Sequence, residues 1–495
     1  MRLLTGLWVL AAAVAADKAA PPPRYRIAYA TYLGGSAWDQ AREVIVHRDG
    51  SVLVGAQTAS PSMPVTPGVV QPKYAGDDPA LGHGGIYGGD CYLARLSADG
   101  RRILAATYFG GSKQERNIYG MDLDSRGDVV ITSATRSPDL PTTPASFQSR
   151  YGGGPSDWLV AKISADLRRL LWCTYVGGAG DDFPRGGLAV DGHDSVNVVG
   201  TTSSDDFPVT AAAFQRKRRG EHDAAVVKLK PDGSALVFST LLGGARSDGI
   251  MGVRIGRDGS LHLGGHTESP DFPVTPGAPQ PRLGGLSDSF LAAFSGDGSR
   301  LIYSTYLGGQ GNEFAEHRPA LDARRGFLLT GVTASGDFPV TASALQRQLK
   351  GQTDGFITLL SAGGARLVFS TLLGGSGGDF WLMPTLDGSG RIFVVGHTTS
   401  SDFPVTADAV QRNYGGGGDG ALALVSADGA KLLYATYLGG SGDDMIRTIA
   451  LGPAGAVYLA GSTASADFPV TAGAVQTGYA GGGDAYVVKL VPAGL

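Results

Sequence analysis

Seven carboxylates recur at one place along this chain. Asp39, Glu115, Asp182, Asp248, Glu313, Asp379 and Asp444 each lie five residues after the first glycine of a Gly-Gly pair and just ahead of an apolar run. A closed ring of repeats would gather these like charges near a central opening, where cations, basic groups or water must relieve their repulsion. The chemistry to expect there is a divalent cation such as calcium, since hard cations take several oxygen ligands. No Asp-x-Asp-x-Asp-Gly loop accompanies them, and Asp and Glu interchange, as a hydrogen-bonding cap would also allow. Two of these carboxylates at a defined separation could also serve a glycosidase or lyase. No His-Glu-x-x-His helix occurs, and the eight histidines are scattered without metal-ligand spacing, so no catalytic residue is assigned.

A ligand of low symmetry needs residues that break the repeat, and three departures qualify. The first unit carries an insertion at 72–89 with Asp77, Asp78, His83 and Tyr87, which should stand above the common surface. Glu316, His317 and Arg318 form a polar cluster at the start of the fifth inner strand, where the sixth has Trp381 and Met383. Arg42, Arg185 and Arg447 each stand eight residues beyond the first glycine of their unit and could reach toward the acidic ring. Charge compensation of the ring is the plainer reading of these three arginines.

The elements that must position these residues follow from the repeat. A unit recurs about every 66 residues, with a longer first copy, which marks a fold whose units bury a face against their neighbours. Each copy reads as four short strands, but the last stops after three. The missing fourth is at the other end, where RIAYATYL (26–33) matches KLLYATYL (431–438). We therefore expect an all-β, seven-bladed β-propeller of four-stranded antiparallel blades, its ring closed by the N-terminal strand completing the C-terminal blade. The Gly-Gly-acid links and the long loops between second and third strands then share one face, and Asp-Gly hairpins take the other. In the long loops a recurring Thr is expected to cap a short helical turn, with Pro after it in three copies. The Gln five residues on and the Asp that opens the third strand are expected to satisfy backbone groups.

Several motifs together resemble one family. YLGGS (32–36 and 437–441), DFPVT (206–210, 271–275, 337–341, 402–406 and 467–471) and GGGDAYVVKL (481–490) are similar to the bacterial seven-bladed β-propeller repeat (SBBP) family over essentially the whole chain after its leader. The first two copies depart from the pattern, with Ser62-Met63-Pro64 and Asp139-Leu140-Pro141. The resemblance implies a propeller and a secreted or cell-surface location rather than a reaction.

Composition fits an exported all-β protein. Glycine makes up 77 of 495 residues, and charged residues are 17%. A formal net charge of −4 offers no basic field for nucleic acid. Residues 1–16 read as a signal peptide, 17–24 as a Pro-rich spacer and 25–495 as a single propeller domain, with no transmembrane segment in the mature chain. Cys91 and Cys173 are read either as one bridge between neighbouring blades or as two separately packed thiols. These observations lead us to expect a monomeric, secreted, periplasmic or cell-surface binding or scaffold module. It would recognise an extracellular polysaccharide or protein through the long-loop face, with a carbohydrate-active enzyme at the channel mouth as the rival.

Overall fold

Runs such as Val52–Thr58, Val129–Thr135 and Asp419–Val425 bury every side chain, so each must be flanked by strands on both edges and covered on both faces. The computed structural model, which describes residues 24–76, 88–322 and 324–494, meets that need with seven antiparallel sheets. In the first blade Asp39–Val46, Val52–Thr58, Asp90–Leu96 and Ile103–Phe109 pair in that order from the inside outward. The inner strand is split in the third blade, into Asp182–Phe183 and Leu188–Val190, and in the fifth, into Glu313–Ala315 and Ala320–Asp322.

The seventh blade confirms the expected closure. Asp444–Leu451, Val457–Thr463 and Asp484–Pro492 are joined by the N-terminal strand Tyr25–Leu33, which runs antiparallel to the last strand with Tyr25 opposite Pro492 and Leu33 opposite Ala485. The core lies between blades. One cluster joins Tyr32 and Tyr486 of the closing blade to Phe393 and Leu422 of the sixth. Cys91 and Cys173 are free thiols buried within a single such cluster.

The long loops protect the outer edges. An outermost strand leaves unpaired backbone groups that invite pairing with another chain. In the first blade Thr66 N donates to Ala106 O at 3.1 Å and Ala106 N to Thr66 Oγ1 at 3.0 Å, while Tyr108 N donates to Gln71 O at 3.2 Å. The same strap joins Thr275 to Ser304, Thr406 to Ala435 and, across the ring seam, Thr471 to Ala30. This corrects the expected Thr-capped helix. The hydroxyl is committed to the outer strand, and the residues after it make only a turn, as where Ala213 N donates to Thr210 O at 3.2 Å.

Candidate functional site

The acidic ring is not a ring of free charge. Asp39, Glu115, Asp182, Asp248, Glu313, Asp379 and Asp444 are each 0–1% exposed and turned into the junction between two blades. Asp39 Oδ2 accepts from Gly35 N at 2.6 Å and Ser60 Oγ at 2.9 Å, and Oδ1 accepts from Thr58 Oγ1 at 2.5 Å. The Thr-x-Ser at the end of each second strand supplies the same donors elsewhere, as from Thr398 and Ser400 to Asp379. The expected gathering at the channel mouth is therefore corrected, and with it the carboxylate-pair hydrolase. The first side chain of each inner strand points at its own blade's hydroxyls, none of the seven lines the axial cavity, and among the described residues no group of three or more His, Cys, Asp or Glu could hold a metal ion.

One further pattern is removed by its contacts. Residues 374–378 spell Gly-x-Ser-x-Gly, but Ser376 Oγ donates to Asp402 Oδ1 at 2.9 Å in a link that leads into a strand rather than a helix.

The usable site lies on the ring axis, and a repeated irregularity builds it. Three residues after each ring carboxylate the inner strand departs from regular pairing. The register slips around Arg42, Met251, Leu382 and Arg447, and the strand is broken at Arg185 and Glu316. A bulge sets two residues opposite one and re-aims a side chain. Here Arg42, Arg185, Glu316, Leu382 and Arg447 all line one cavity of ≈ 350 Å³. In the second blade the slip spans Asn117–Tyr119, and these two with Arg116 complete that side. Phe183 and Phe380 add apolar wall.

Within the cavity a single oxygen collects three guanidiniums. Glu316 Oε1 lies 2.9 Å from Arg185 Nη2, 3.4 Å from Arg42 Nη2 and 3.7 Å from Arg447 Nη1. Burial alone would raise the Glu316 pKa, but Arg185, Arg42 and Arg447 override it and hold the carboxyl well below its ordinary range. Burial, then Arg42, brings Arg447 down to about 10, so it stays a cation at neutral pH. Arg42 stacks over Tyr119 at 4.8 Å, Arg116 over Phe183 at 5.2 Å and Arg185 over Phe314 at 5.1 Å, which fixes the planes of the guanidiniums. The Nε atoms of Arg42 and Arg447 are buried without a hydrogen-bond partner.

Below this layer the channel is closed. Arg318 of the fifth blade reaches Glu43 Oε1 of the first at 2.8 Å and Met121 O of the second at 2.8 Å, so one side chain bridges the axis. Burial pushes Glu43 up to about 7 against the pull of Arg318 and Arg254. The cavity is thus a cup with an ionic floor.

Of the residues singled out by sequence, Arg42, Arg185, Glu316 and Arg447 come together. His317 is buried behind them at 5% exposure with φ of 68°, its pKa held well below the usual value by burial and then Arg42, and Arg318 belongs to the floor. Trp381 is a correction: it is 1% exposed, donates from Nε1 to Leu373 O at 2.9 Å and packs on Phe403 between blades. Strand alternation turns it to the core, and Phe380 and Leu382 on either side of it face the channel instead. Asp77, Asp78, His83 and Tyr87 lie outside the described residues. Sequence reasoning missed Arg116, Tyr119, Phe183 and Phe380. It also passed over a visible signal, that Glu316 stands at the same count from its Gly-Gly pair as the three arginines.

Four charged side chains meeting at one point carry a net charge of about +2, with Arg116 on the same wall. Among the described residues the one carboxylate lining the cup is clamped in its ionised form and the neighbouring histidine is shielded, so the arrangement is suited to holding an anion rather than moving a proton.

Among the described residues no helix is long and apolar enough to cross a membrane. No family model and no curated protein matches the chain. Among solved structures, the quinohemoprotein alcohol dehydrogenase ADHIIG from Pseudomonas putida HK5 is similar at 10% identity and a TM-score of 0.39, over 95% of this chain and 76% of that one. A europium-containing methanol dehydrogenase is similar at 12% identity and a TM-score of 0.41, over 94% of this chain and 93% of that one. The expected polysaccharide- or protein-binding module working through the long-loop face is corrected by the placement of the site, since the residues that come together form an inward-facing cup on the ring axis.

Proposed function

We propose that the propeller holds a small organic anion in the cup on its axis, with Arg42, Arg185 and Arg447 as the anion clamp. The observation that carries this reading is the convergence of three arginines from three blades on one carboxylate oxygen, which leaves the site short of negative charge. Arginine suits carboxylate and phosphate groups because its planar fork donates two parallel hydrogen bonds. The cavity of ≈ 350 Å³ fits a compact ligand, and Tyr119, Phe183 and Phe380 offer apolar surface to its carbon frame. Calorimetric titration of the protein with a panel of small carboxylates and phosphate monoesters tests it. Saturable binding weakened about 10-fold or more in Arg42→Gln and Arg447→Gln is expected. A panel with no binder, or binding that both variants leave intact, would overturn the reading.

We also propose that the chain is an exported member of the bacterial propeller-repeat family, on the support of the motif text and the leader-like residues 1–16 alone. Mass spectrometry of protein recovered from outside the cytoplasm should give Asp17 as the first residue. Intact Met1 on cytoplasmic protein would refute export.

A further inference from the structure

Each blade junction holds a second buried acid beside the ring carboxylate. Where the sixth blade meets the seventh, Asp419 opens a third strand and Asp444 the next inner strand, and both press on Gly439. A Cβ on that glycine would lie 2.7 Å from Asp419 Oδ1 and 2.7 Å from Asp444 Oδ2. The arrangement recurs at Gly177 with Asp157 and Asp182, at Gly308 with Asp288 and Glu313, and at Gly374 with Asp354 and Asp379. All of these carboxyls are 0–1% exposed.

Donors leave bare oxygens within a pair. Asp444 Oδ2 accepts from Gly440 N at 2.7 Å and Ser465 Oγ at 2.7 Å, and Asp419 Oδ2 accepts from Gly415 N at 2.9 Å and Gln411 Nε2 at 3.0 Å, while Oδ1 of each is buried with no hydrogen-bond partner. The same orphaned oxygen occurs on Asp157, Asp182, Asp288, Asp354 and Asp484. Two full negative charges side by side out of water, with at least one bare oxygen between them, are costly, and a proton on such an oxygen removes both difficulties.

We propose that these blade junctions are proton-binding sites, each pair of acids sharing one proton, so that the firmness of the ring is linked to pH. Burial raises both members of a pair against the pull of their donors. Asp419, Asp288 and Asp484 are pushed up to about 6 and Asp157 to about 7, and the ring acids Asp444, Asp182 and Glu313 are raised as well, with Asp39 at about 7. Around Asp419 and Asp444 stand His397, whose Nε2 is 2.9 Å from Asp443 Oδ1, with Tyr414, Tyr437 and Tyr486. Tyr32 and Tyr479 face Asp484, and Lys350 Nζ reaches Gly374 O at 3.4 Å beside Asp354. Of these, His397 in its positive form opposes protonation of Asp419. Because the folded pKa lies above the unfolded value of about 4, the stabilisation is complete below pH 4 and is lost as pH rises through about 6 to 7.

The test is thermal unfolding of the protein between pH 4.5 and 8, alone and as the single variants Asp354→Asn, Asp419→Asn and Asp484→Asn, with proton release on unfolding measured by calorimetry in two buffers. The expected wild-type midpoint falls across this range and unfolding at pH 6 releases protons. Each variant, locked in a neutral form, should shed about one proton's share of that slope. A wild-type midpoint that is flat or rises, or variants that keep the full slope, would overturn the proposal. So would a midpoint at pH 8 raised by calcium and lowered by a chelator, since the pairs would then hold a cation. Should the variants not fold, the infrared carbonyl band of protonated carboxyl in the wild type decides, read as intensity beyond the single carboxyl of Glu43: several carboxyls' worth at pH 6 and gone at pH 9 supports the proposal, and no more than one at pH 6 sinks it.

Discussion

Arg185 Nη2 donates to Glu316 Oε1 at 2.9 Å, although the two residues are 131 positions apart and come from different blades. They meet because both occupy the position three residues after a ring carboxylate, where the inner strand breaks and its side chain turns to the axis. A repeat fold thus brings distant residues together by register alone, and variation at one repeated position is enough to write a binding site.

Replacing Glu316 with Ala should cost about 3 kcal/mol, because three guanidiniums then face one another without their shared partner. Urea unfolding of the variant checks this. Added phosphate should restore more stability to the variant than to the wild type, since an anion can take the vacated place.

Much of the architecture was legible because it is countable. Seven strand-ending Gly-Gly pairs that lead to a ring carboxylate, and a fourth-strand sequence standing first instead of last, dictate seven blades and a closed ring. The direction in which a residue faces was not countable. Trp381 and Phe380 are neighbours on a strand, so the pleat sends them to opposite faces, but nothing in their spacing says which of the two takes the core and which the channel. The ring acids were found by position but misplaced, although Thr58 and Ser60, Thr398 and Ser400, and their counterparts were present as donors at a constant spacing.

The first glycine of each link is expected to tolerate no side chain. In Gly439→Ala the methyl would press on Asp419 Oδ1 and Asp444 Oδ2 at 2.7 Å, and both carboxyls are pinned by donors. A loss of about 1–3 kcal/mol should appear in urea unfolding. Gly68→Ala, where nothing lies within 4 Å, should lose less and only through its φ of 75°.

The strap at the ring seam should differ from the others in kinetics more than in energy. Thr471→Val removes the hydroxyl that accepts from Ala30 N at 3.1 Å, as Thr406→Val removes the one that accepts from Ala435 N at 3.3 Å. Each should cost about 1 kcal/mol. The first loosens an outer strand that joins its blade across the ring seam, 441 positions from its strap, so amide exchange at Ala30 and Tyr32 should accelerate in Thr471→Val while exchange at Ala435 in Thr406→Val changes less.

The floor of the cup gives the sharpest dependence on pH. Arg318→Met leaves Glu43 buried at 3% exposure without its 2.8 Å partner, and stranding one member of a buried pair costs about 3–5 kcal/mol. Glu43 already titrates at about 7 with Arg318 present, and removing that cation raises it further. A raised carboxyl favours the folded state fully below the unfolded pKa of about 4 and loses that contribution as pH climbs through the folded value. The penalty of the variant should therefore be large at pH 8 and shrink toward pH 5, where Glu43 is neutral and the substituted thioether side chain has no charge to face. Urea midpoints of wild type and variant at the two pH values measure it, and a penalty equal at both would show that Arg318 acts by packing across the axis and not by its charge.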